Sequence, residues 1–77
     1  MRIRTLRMES GKPQTEVAQA VGVNIRVYVR WEAGETRPDA GNLVALLDYF
    51  RATLDRPEIQ ARDLLDIPDA AVSVDPT

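Results

Sequence analysis

The side chains able to do chemistry in this 77-residue chain are ten basic groups and twelve carboxylates. There is no cysteine and no histidine, which removes disulfides, the usual zinc sets, thiol nucleophiles and imidazole acid-base catalysis together. The carboxylates and arginines that remain have no spacing that assembles a nucleophile, a base and an electrophile, so the sequence predicts no enzyme, no metal and no cofactor. What forked guanidinium groups do well is recognition, because their donors match phosphates and base edges in pairs.

Where those charges lie matters more than their sum. The net charge is -2, which argues against a polyanion partner until it is divided. Residues 1–38 carry seven basic side chains (Arg2, Arg4, Arg7, Lys12, Arg26, Arg30, Arg37) against four acids, while residues 39–77 carry three against eight. Such a split suits a molecule that offers its N-terminal half to a polyanion and turns an acidic half away. The plain alternative is a set of charges that only solvates the surface.

Elements must exist to place these groups. A chain of this length supports one core. It opens Met1-Arg2-Ile3-Arg4 and its apolar runs span only a few residues, so neither a secretory leader nor a membrane span is expected, and a cytoplasmic location is. Ile3 and Leu6 sit on one face of a short segment that ends at Gly11. Pro13 fits the first turn of a second helix, in which Val17, Ala18 and Val21 recur until Gly22 interrupts them. Asn24 caps a third, from Ile25 to about Glu32, closed by Ala33-Gly34. This third run is rich in β-branched and aromatic residues, which alone would permit a strand, but its punctuation is spaced for a helix. Tyr28 and Trp31 share a face there and are expected in the core.

Asp39 caps a fourth helix whose Leu43, Leu46, Leu47, Phe50 and Leu54 form the longest apolar stripe. The run Asp55-Arg56-Pro57-Glu58 has capping-box spacing and suggests the start of a fifth helix carrying Ile59, Leu64 and Leu65. The expected organisation is one all-α domain over residues 1–66 and a mobile tail over residues 67–77.

The second and third segments, joined by Ala20-Val21-Gly22-Val23-Asn24, have the spacing of two short helices crossing steeply over a tight turn. Leu6-Arg7, Gly11, Gln14-Thr15-Glu16-Val17-Ala18, Val21-Gly22-Val23, Arg30-Trp31-Glu32-Ala33-Gly34, Arg37-Pro38, Leu43 and Leu46 follow one another in a recognisable order. In these residues the chain resembles the lambda-repressor/Cro-like family, also called XRE-type helix-turn-helix, over roughly residues 3–50. The resemblance implies a compact five-helix DNA-binding domain with the helix-turn-helix in helices two and three.

It also implies roles. Ile25, Arg26, Val29 and Arg30 fall on the base-reading positions, where Arg offers paired donors to guanine and an aliphatic side chain can pack on a thymine methyl. Gln14 falls on the position that binds a phosphate and braces the recognition helix, and Lys12 and Arg37 are further phosphate contacts. Arg7 and Glu32 fall on an architectural ion pair. Arg2 and Arg4 either strengthen the field or solvate the first helix. The sequence departs from the family at Lys12, usually apolar, at Pro13, usually a Ser or Thr cap, and on the outer face of helix three, where Ile25, Val27 and Val29 replace polar residues.

The function expected is sequence-specific binding of double-stranded DNA by a homodimeric transcriptional regulator, a repressor of the phage Cro/repressor or antitoxin type. A toxin or other protein partner fits the antitoxin case. Leu54, Ile59, Leu64 and Leu65 are available either for the dimer contact or for the monomer core. The alternative reading is a protein-interaction module that uses the apolar face of helix three.

Overall fold

In the computed structural model, residues 2–65 are described; the tail expected over residues 67–77 lies outside them. Five helices follow in order: α1 (Ile3–Ser10), α2 (Gln14–Val21), α3 (Ile25–Ala33), α4 (Ala40–Leu54) and α5 (Ala61–Leu65). The domain is all-α, as the punctuation of the sequence predicts. No helix among the described residues is long and apolar enough to cross a membrane.

The chain ends each of its first four helices in the same way. A residue with positive φ follows α1, α2, α3 and α4, and it is glycine in the first three (Gly11, Gly22, Gly34). After α2, Gly22 takes φ 79°, the Gly22 N–H donates to the Gln19 carbonyl at 3.1 Å and the Val23 N–H to the Ala18 carbonyl at 3.0 Å. These two bonds satisfy carbonyls the helix leaves open and fold the chain back sharply toward α3. Asn24 then starts α3, its side chain accepting the Arg26 N–H at 2.7 Å, and Asp39 starts α4 by accepting the Asn42 N–H at 2.8 Å.

Pro13 lies one position outside the helix it was expected to open: it is the N-cap of α2, extended at φ -74° and ψ 159°, with no side-chain cap. The fifth helix differs more. Asp55, read as its start, instead ends α4 in the left-handed region at φ 54°. The actual start lies five residues on, where the Asp63 carboxylate accepts the Gln60 N–H at 2.8 Å. Ile59 therefore precedes α5 and still reaches the core.

That core comprises Ile3, Leu6, Val17, Ala18, Val21, Tyr28, Trp31, Leu46, Phe50, Ile59 and Leu64. Ala18, 1 % exposed, gives α2 and α3 a small contact residue where they cross. Tyr28 and Trp31 are buried edge to face, 6.0 Å between ring centroids, so neither is a platform for stacked bases. Ile59 and Leu64 are buried in the monomer core, and Leu54 packs against the same core while remaining partly exposed. The Leu65 side chain lies outside the described residues.

Candidate nucleic-acid interface

One cluster of charge holds α3 in place. The Arg7 Nε donates to Glu32 Oε2 at 2.6 Å and its Nη2 to Oε1 at 3.3 Å, while Nη1 donates to the Lys12 carbonyl at 3.0 Å. Gln14 Nε2 donates to Glu32 Oε1 at 2.9 Å. The side chains are 15 % exposed at Arg7 and 4 % at Glu32, so α1, α2 and α3 meet on one carboxylate sheltered from water. Burial alone would raise the Glu32 pKa, but the hydrogen bonds from Arg7 and Gln14, with the Arg7 charge, outweigh it and hold the carboxyl below its ordinary range. The hydrogen bond to Glu32 likewise raises Arg7. The Tyr28 hydroxyl is buried beside the pair without a well-formed hydrogen bond, and burial, with the Glu32 carboxylate, pushes it far above the usual phenol range.

Outside this cluster, α3 turns a different face to solvent. Three shallow concavities surround it. One, of about 320 Å³, is lined by Arg4, Arg7, Gln14, Val29, Glu32 and Ala33. The next, of about 350 Å³, is lined by Ile25, Arg26, Val29, Arg30 and Glu35. The third, lined by Val27, Arg30, Trp31, Thr36, Arg37, Asp39 and Asn42, brings in the α3–α4 loop and the start of α4. Val29 borders the first two and Arg30 the last two, so the three form one strip around the helix. Among the described residues, the side chains of Arg4, Arg26, Arg30 and Arg37 enter no ion pair or hydrogen bond. Four unneutralised guanidinium groups thus lie along the strip.

The strip gathers Arg26, Val29, Arg30 and Arg37, with Ile25 at its edge. Ile25 is only partly exposed because it also packs on the core. Lys12 stands apart from this strip, its Nζ 3.4 Å from Glu16 Oε2 in a pair open to water. Gln14 spends its side-chain amide on Glu32, while the Glu16 and Val17 N–H groups of the first turn of α2 donate to the Pro13 carbonyl. The position of Arg4 beside Gln14 and Val29 depends on how α1 packs against α3, and helical periodicity within α1 could not reveal it. The three aliphatic residues of the outer face do not form one patch: Val27 and Val29 line different concavities, as two residues about 200° apart around a helix must.

Two short helices crossing over a glycine turn, the second wrapped by a basic strip and pinned by a buried ion pair, define a helix-turn-helix domain. A family model described as helix-turn-helix matches residues 3–56. The chain belongs to the helix-turn-helix family. No curated protein and no solved structure matches it.

Proposed function

We propose that this protein is a sequence-specific DNA-binding transcriptional regulator that lays α3 in the major groove of double-stranded DNA. The observation that carries the reading is the continuous strip around α3, with four unpaired arginines on a chain whose acids concentrate in the other half. Arg26 and Arg30, one turn apart, present forked donors to guanine edges. Ile25 and Val29 form an apolar row alongside them and line the same hollow. On the flanks, Arg4 on one side and Arg37 on the other hold the two phosphate backbones, joined by the N–H groups at the start of α2. Lys12 adds a phosphate contact by leaving its exposed pair with Glu16, which costs about 1 kcal/mol or less. Gln14 fixes the angle of α3 through Glu32 and contributes its backbone N–H.

A single α3 spans one half-site, so the regulator acts as a homodimer on half-sites about one helical turn apart. This is the arrangement of a phage Cro/repressor or antitoxin, and occupancy of an operator represses the gene beside it. Selection of bound duplexes from a random pool tests the proposal. Recovery of a two-fold symmetric site supports it, and no enrichment at low ionic strength overturns it. On the recovered site Arg26→Ala costs about 1–3 kcal/mol and relaxes preference at one base pair. A uniform loss on every sequence would make Arg26 a phosphate contact instead.

A further inference from the structure

We propose that the concavity between Arg26 and Arg30 seats the C5-methyl group of a pyrimidine adjoining a guanine, so that binding responds to C5 methylation of the DNA. The inference rests on the DNA-binding reading and specifies what α3 reads. Ile25 and Val29 are four residues apart and form one apolar wall along the helix. Ile25 is anchored on the core, which fixes the wall, and Val29 is 39 % exposed, which leaves it available for contact. Arg26 and Arg30 form a parallel row beside it, both free of ion pairs among the described residues.

The remaining member of the concavity is Glu35. A carboxylate repels phosphate oxygens, which disfavours the DNA backbone in this hollow. In the major groove the pyrimidine C5-methyl is the apolar feature a base edge offers, and guanine O6 and N7 are the acceptors a guanidinium takes in pairs. A methyl-bearing pyrimidine followed by guanine places these features side by side. Thymine and 5-methylcytosine both supply the methyl, whereas uracil and cytosine lack it.

The test measures affinity of the full chain for the selected site with one pyrimidine–guanine step varied as TpG, UpG, 5-methylCpG and CpG. Each buried methyl is worth about four-fold in affinity, so T should exceed U, and 5-methylcytosine should exceed cytosine, by about that factor. A difference in the first pair alone identifies thymine as the source, in the second alone methylated cytosine, and in both the methyl itself. Val29→Ala, at an exposed position that does not support the core, should bring the methyl preference close to one while the helical circular dichroism is unchanged. Salt-sensitive binding with no difference within either pair would overturn the methyl seat and leave DNA binding intact. Retention of the full preference in Val29→Ala would overturn the assignment of the wall. Absence of binding to any duplex would overturn the DNA reading as well.

Discussion

Replacing Arg7 by alanine removes the cation from a carboxylate that is 4 % exposed. Breaking a buried pair from one side costs on the order of 3–5 kcal/mol, because the surviving charge stays buried without its partner. Arg7 itself keeps 15 % exposure, which places the loss near the lower end; its bond to the Lys12 carbonyl adds about 1 kcal/mol. We expect Arg7→Ala to cost about 4 kcal/mol at pH 7, a large part of the roughly 4–12 kcal/mol available to a domain of this length. The sign with pH follows from Glu32. In the native protein its carboxyl is held below the ordinary value, so its contribution is present above that value and is lost as pH falls through the folded pKa. Without Arg7, burial dominates and raises the pKa, so acid neutralises the lone carboxylate and the penalty shrinks.

Urea unfolding followed by the fluorescence of buried Trp31 measures both effects. The gap between native and Arg7→Ala proteins should narrow by at least about 1 kcal/mol between pH 7 and pH 4. The double variant Arg7→Met with Glu32→Leu should recover most of the loss, since an apolar pair of similar volume leaves no stranded charge. A single-variant cost under about 1 kcal/mol at pH 7, or a gap that stays constant with pH, would refute the reasoning.

Asn24→Ala removes the oxygen that accepts the Arg26 N–H and should cost about 1 kcal/mol in thermal or urea unfolding. Asp55→Gly relieves a left-handed backbone at φ 54° and should raise stability by about 0.5 kcal/mol, the relief outweighing the added freedom of the unfolded chain. Arg4→Ala, which removes one phosphate contact from each of the two protomers, should lower the slope of log affinity against log salt by about 1.8 and leave the order of preferred sequences unchanged. A change in base preference would place Arg4 on a base.

The local marks of helix ends were legible wherever the deciding bonds lie within a few residues. Asn24 and Gly34 delimit α3 despite a β-branched interior, because a cap oxygen and a positive φ are properties of single residues. The start of α5 was misread because Asp55-Arg56-Pro57-Glu58 carries capping-box spacing, while Asp55 is committed to ending α4: its N–H donates to the Ala52 carbonyl and the Arg56 N–H to that of Arg51. The connection is pinned by Arg51 Nε donating to the Ile59 carbonyl at 2.7 Å and by Arg56 against Glu9 at 3.0 Å. Both contacts need tertiary placement that no local pattern encodes. The same holds at the candidate interface, where the division of Val27 and Val29 between two hollows and the arrival of Arg4 beside Gln14 follow from helix packing.

The central claim is that the strip around α3 binds DNA, and affinity for the selected duplex measured against salt tests it most directly. Arg4, Lys12 and Arg37 on each of two protomers neutralise about six phosphates, so log affinity should fall against log salt with a slope of about -5. An affinity indifferent to ionic strength, or no binding at low salt, would contradict it.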